Sequence, residues 1–288
     1  MKKKDVLLAV EINTVWGAVY ALTKYISPIF PSISLFAVRF FFGGLVGLAI
    51  NFKILTRVKI SMRQCGILVA FSTAFSLSCY FVAVALPKLD SSVVNILERG
   101  ETIITMILGI IFFREKLSAR AILGIFICFF ALYLISAGGE GGNLFSLFVI
   151  FLSCVSGAIS NILSKKIDIG NKSKATLGFL ISGIELLILS RLSGEKILLS
   201  NLDYRAALSI AFLVIFSSYF CYLELYYLLE KYDVGAVMPF RFIVPVVSIV
   251  TGFVLLGEAI TAKKIVSLIL IIAGITLTQY SVKKNEKK

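Results

Sequence analysis

Residues 112–124 read FFREKLSARAILG and residues 255–267 read LLGEAITAKKIVS. A shift of 143 residues lays one stretch on the other, matching Glu115 to Glu258, Leu117 to Ile260, Ser118 to Thr261 and Arg120 to Lys263. The same shift sets Lys88-Leu89-Asp90 on Lys231-Tyr232-Asp233, and a shift of 140 sets Trp16-Gly17-Ala18 on Ser156-Gly157-Ala158. A period of half the chain means one unit written twice.

The solvent of that unit follows from composition. Of 288 residues 59% are hydrophobic and 16% charged, with mean hydropathy +0.97. Polar residues collect in short clusters between apolar blocks, which marks a polytopic membrane protein and leaves no room for a sizeable soluble domain. The basic, apolar N-terminus lacks a small-residue cleavage site and reads as a retained first helix. The five cysteines stand at no metal-ligand spacing and read as small buried hydrophobes.

Segments long enough to span a bilayer fall at 6–25, 33–52, 65–86, 91–113, 119–137, 144–162, 175–192, 206–229, 235–256 and 264–281. Pro28 and Pro31, the run 87–90 and the glycine-rich run 138–142 punctuate them. Because cytoplasmic loops retain lysine and arginine, orientation can be read from the 29 basic residues: with the N-terminus inside, inner segments hold 19 and outer loops six. Both termini are therefore expected in the cytoplasm, with the loop 138–143 outside. The net charge of +13 then faces anionic inner-leaflet lipid and implies no nucleic-acid partner.

Five helices per half is an odd number, so the second half must enter the membrane from the opposite side. The expected fold is an all-α polytopic membrane protein, ten transmembrane helices as two inverted five-helix repeats at 1–137 and 144–288. Secondary transporters use this arrangement for alternating access.

Trp16-Gly17 in the first span, Arg39 in FAVRFFFGGLVGL, the fourth span ending FFREKLS and the ninth ending PVVSIVTGFVLLGEAIT together resemble the EamA branch of the drug/metabolite transporter superfamily. The resemblance covers nearly the whole chain. It implies a ten-helix carrier of small organic solutes in a bacterial cytoplasmic membrane, with a central cavity lined largely by spans three, four, eight and nine. Where the family often has proline after the span-four glutamate, this chain has Glu101-Thr102; the second half keeps Pro245.

The charges inside spans are the candidate site. At 1.5 Å per residue Glu98 sits roughly 10 Å below the outer face and Glu101 near the midplane. A spacing of three puts both carboxylates on one helical face, with Arg99 expected to point about 100° away. The 143-residue shift sets Glu98 on Arg241, which with Glu224 is expected roughly 9 Å above the inner face. Each charge at such depth costs on the order of 2.5–3.5 kcal/mol, so the cluster is expected to face inward. Two readings remain open: Arg241 meets a solute carboxylate or phosphate while Glu98 or Glu101 meets an ammonium, or Glu224 neutralises Arg241 and Arg99 neutralises Glu98. The first describes a zwitterionic solute.

Around these, Tyr80, Phe81, Tyr219, Phe220, Tyr222, Tyr226, Phe240 and Phe242 are candidate cavity walls. Gly100, Pro239 and Pro245 are candidate hinges, because proline removes a backbone donor and frees a carbonyl. Glu185, alone near the middle of span seven, is the candidate coupling carboxylate, with Glu98 and Glu101 as alternatives for proton coupling. Arg39 is expected to gate the outer mouth or to snorkel, Lys24 to snorkel, and Glu11 to be solvated near the inner face. Glu115 and Glu258 read as turn elements before helices capped by Ser118 and Thr261.

The chain has no histidine and no paired aspartates, so metal catalysis has few ligands to draw on. No enzyme activity, cofactor or metal is expected. The partners are a small-molecule solute and the lipid bilayer. An amino-acid-like metabolite leads, and an S-adenosylmethionine or nucleotide-derivative carrier, or a drug exporter, is the alternative; a channel fits the repeat less well.

Overall fold

The computed structural model describes residues 1–113, 119–137, 144–197 and 203–285. The Glu115 turn with its Ser118 cap and the loop 138–143 lie outside these, as do the side chains of Pro239 and Phe242. All regular structure among the described residues is helical: α1 Lys3–Ile26, α2 Ser32–Leu55, α3 Met62–Ala85, α4 Ser91–Leu97, α5 Arg99–Phe113, α6 Ala119–Ala137, α7 Leu144–Lys166, α8 Asn171–Leu192, α9 Tyr204–Phe212, α10 Cys221–Lys231, α11 Val234–Val237, α12 Ile243–Leu256 and α13 Ala262–Asn285. Among the described residues six stretches are long and apolar enough to cross a bilayer: α1, α2, Met62–Lys88, α7, α8 and Tyr204–Lys231.

Two of the expected spans are broken helices, and they break at equivalent places. α4 gives way at Glu98 to α5, while α11 gives way to a 3₁₀ segment, Met238–Phe242, and then α12. The 143-residue shift carries Ser91 onto Val234 and the break at Glu98 onto Arg241, so starts and interruptions coincide.

Pro245 gives part of the cause. It offers no N–H to the carbonyl four residues back, that of Arg241. That carbonyl accepts instead from Arg99 Nη1 at 3.1 Å, which ties the two interrupted segments together. At the other break the carbonyls of Leu97 and Glu98 face the Cys154 thiol at 3.7 and 3.8 Å.

A third irregularity had no expectation behind it. Leu213–Phe220 between α9 and α10 is a π-helix, in which Ser217 and Ser218 both donate to the Leu213 carbonyl at 2.8 Å. The wider turn leaves the Ser217 carbonyl to accept from Trp16 Nε1 at 2.9 Å.

Helices of the two halves pair closely: α2 with α8, α6 with α13, α3 with α7, and α1 with α12. Small residues permit this where apolar lipid supplies no hydrophobic drive. A Cβ on Gly183 of α8 would lie 2.4 Å from the Phe41 backbone of α2, so that crossing admits only glycine there. The centre is a ring cluster in which Tyr222 contacts Trp16, Phe75 and Phe179 at centroid distances of 4.8, 5.1 and 5.3 Å.

Candidate functional site

The broken helices open onto a central cavity between the halves. Its lining includes Trp16 and Tyr20 of α1, Phe36, Arg39 and Phe40 of α2, Phe75, Ser78 and Cys79 of α3, Asn95, Glu98, Arg99 and Glu101 of α4–α5, Ser160 and Asn161 of α7, and Tyr222, Arg241 and Val244. About 60 Å³ is open to the centre of a water-sized sphere, room for roughly a handful of waters at ~10–15 Å³ each.

Glu101 Oε1 accepts from Arg241 Nη1 at 2.8 Å and from Asn161 Nδ2 at 2.5 Å. The Arg241 guanidinium lies 5.2 Å from the Trp16 ring. Glu98 Oε2 accepts from the Tyr20 hydroxyl and from Arg99 Nη2 at 3.4 Å, while Ser153 Oγ approaches Oε1 at 3.4 Å. Arg99 Nε donates to the Asn95 carbonyl at 3.0 Å. All four charged residues are at most 8% exposed, so each pair is an internal compensation of charge rather than a surface bridge. Gly157 lets this happen: a Cβ there would sit 2.9 Å from the Glu101 carboxyl carbon.

Several expectations need correction. Arg241 pairs with Glu101, whereas Glu224 is half-buried and outside the lining. Arg99 lines the cavity it was expected to turn away from, because the helix breaks at the residue before it. Arg39 does not snorkel; it is 2% exposed and lines the cavity, under the rings of Phe36 and Phe40. Of the candidate walls whose side chains are described, Tyr222 alone lines the cavity. Tyr219 is buried against α2, accepting from Asn51 Nδ2, and Tyr80 and Phe240 are half-buried outside the lining. Gly100 is buried beside an apolar groove with Leu97 and Phe151, and Pro245 is buried in α12. Glu185 is half-buried between α3 and α8, accepting from Thr73 Oγ1 at 2.7 Å and Ser76 Oγ at 2.5 Å. Sequence reasoning missed Tyr20, Asn95 and Asn161, whose roles depend on contacts 56 or more residues away.

Polar clasps join the two halves near opposite ends of α1. At one, Glu258 accepts from the Ser91 and Ser92 amides at 2.6 and 3.2 Å, capping α4 from the opposite half. Lys24 reaches the Leu89 carbonyl at 2.7 Å and Glu258 at 3.8 Å, and Lys264 pairs with Asp90 at 2.9 Å. Glu258 is thus more than a local turn residue, and Lys24 is bonded rather than snorkelling; Thr261 does cap α13, accepting from the Lys264 amide at 3.3 Å. At the other end Asp5 of α1 accepts from Lys231 Nζ at 2.8 Å and the Tyr232 hydroxyl at 2.6 Å.

The comparisons agree with this architecture. An uncharacterized transporter of Archaeoglobus fulgidus is 27% identical over 275 residues, covering 95% of this chain and 97% of its own. A protein of Salmonella typhimurium named a probable amino-acid metabolite efflux pump is 26% identical over 293 residues, covering 97% and 96%. A solved crystal structure superimposes with a TM-score of 0.77 at 14% identity, covering 97% of this chain and 99% of that one. The profile of the EamA-like transporter family matches twice, at residues 3–137 and 144–280. The chain is a multi-pass membrane transporter and belongs to the EamA-like transporter family.

Proposed function

We propose that this transporter is a secondary carrier of small amino-acid-like metabolites, working by alternating access in a bacterial cytoplasmic membrane. Ten helical segments cross the bilayer as two inverted repeats, the broken pairs α4–α5 and α11–α12 each counting as one crossing, with both termini cytoplasmic. One observation carries the reading: the two halves meet around a closed cavity in which paired carboxylates and guanidiniums stand beside Trp16 and Tyr222. Such a cavity offers both ends of a zwitterion a partner, a guanidinium for its carboxylate and a glutamate for its ammonium. Arginine's planar fork suits the carboxylate and the rings suit the apolar body. The efflux pumps named among its relatives support the solute class.

The two polar clasps are the gates in this reading. Parting the Glu258–Ser91 end opens the cavity to one side, and parting the Asp5–Lys231 end opens it to the other. Counterflow in proteoliposomes tests the class: saturable exchange driven by trans solute marks a carrier, and linear, non-saturating flux excludes one.

A further inference from the structure

We infer that Arg39 is the carboxylate-binding group of the cavity, and that the solute it holds joins a carboxylate to an apolar or aromatic body. This rests on the cavity being the carrier's binding site. The lining holds three arginines and two glutamates. Arg99 is matched to Glu98 and Arg241 to Glu101, so the cavity is one negative charge short, and the shortfall is at Arg39.

Among the described residues Arg39 has one hydrogen-bond partner for its head group, Ser217 Oγ at 3.1 Å from Nη2. Its Nε and Nη1 are buried with no hydrogen-bond partner among those residues, and the side chain is only 2% exposed. Buried N–H groups are ordinarily satisfied, and a buried guanidinium without a counter-ion is more costly still. A carboxylate oxygen pair meets guanidinium N–H groups two at a time, so one such group completes both the charge and the hydrogen bonds.

The surroundings define what the carboxylate is attached to. Phe36 and Phe40 lie with their centroids 5.0 and 5.2 Å from the guanidinium carbon. Phe75 and Tyr222 extend the same wall, with Phe40 and Phe75 4.7 Å apart. An apolar body packs there while its acid group faces Arg39.

The chain's single tryptophan makes this measurable. Trp16 lines the cavity and donates to the carbonyl of Ser217, the residue whose hydroxyl serves Arg39. We would titrate the purified full chain in detergent with 3-phenylpropionate and with its uncharged amide, following Trp16 emission. The expected result is saturable binding of the acid, with the amide about ten- to a hundredfold weaker. Arg39→Gln should erase that preference, and Arg39→Lys should keep part of it. Equal affinity of the wild type for acid and amide overturns the proposal without any variant, which covers the case of Arg39→Gln failing to fold. An acid preference that persists in Arg39→Gln overturns the role of Arg39 and leaves the cavity as the site. No response of Trp16 to either compound overturns both.

Discussion

Arg241 and Glu101 stand 140 residues apart in the chain and meet at 2.8 Å in the cavity. Each lies within three residues of the point where its helix breaks, so the pair bridges the two interrupted segments. Removing one partner of a buried pair leaves the other charge uncompensated, at a cost of about 3–5 kcal/mol. Arg241→Gln and Glu101→Gln should therefore each lower the melting temperature in detergent well below that of wild type. The double variant should recover most of the loss, since two amides can bond to each other, but it should not recover counterflow. Two single variants as stable as wild type would show that the pair does not hold the segments together.

Access to Cys79 tests whether the two clasps act as gates. Cys79 lines the cavity and is buried, while Cys65 is exposed and must first be replaced by alanine. Combining Asp90→Asn with Glu258→Gln removes both the Lys264 bridge and the carboxylate cap of α4. Cys79 in that variant should react severalfold faster with an impermeant maleimide added outside cells, whereas Asp5→Asn, which weakens the opposite clasp, should not speed it. Equal labelling in all three proteins would mean that the Glu258 clasp is no gate.

The broken helices explain why the sequence disclosed the repeat better than the site. The register of 143 residues predicts where the two segments start, because Asp90 and Asp233 precede α4 and α11 in extended backbone. Ideal helix geometry, though, placed Arg99 on the wrong side, since it carries angles across a break at Glu98. The π-helix at Leu213–Phe220 leaves no periodic trace, because paired serines also occur in ordinary apolar helices. Tyr20 meets Glu98 only once α1 is packed, a contact that no local pattern announces. Arg39 stands out only once the packing selects three arginines and two glutamates for the cavity wall, a ratio the whole sequence does not show.

Native and introduced cysteines test orientation. Of the five cysteines Cys65 is the exposed one, and it begins the third expected span on the inner side. In intact cells it should resist an impermeant thiol reagent and react after permeabilisation. Lys88→Cys, in a background with Cys65 replaced, stands at an exposed position of a loop expected outside and should react without permeabilisation. The opposite pattern would reverse the assignment of both termini to the cytoplasm.

Proton coupling, if the carrier uses it, is best served by Glu185. Glu98 and Glu101 are each bound to an arginine, and protonating either would strand a buried guanidinium. Glu185 meets two hydroxyls, from Thr73 and Ser76, and a hydroxyl can donate to a carboxylate or accept from a carboxylic acid. Both protonation states can thus keep their hydrogen bonds. Glutamine at this position keeps the shape and an acceptor oxygen but carries no exchangeable acid. Glu185→Gln should therefore abolish uptake driven by an imposed pH gradient in proteoliposomes while leaving counterflow, which moves no net proton, within about twofold of wild type. Full gradient-driven uptake in Glu185→Gln would remove it from the coupling path, and loss of counterflow as well would assign it to the packing of α3 on α8 instead.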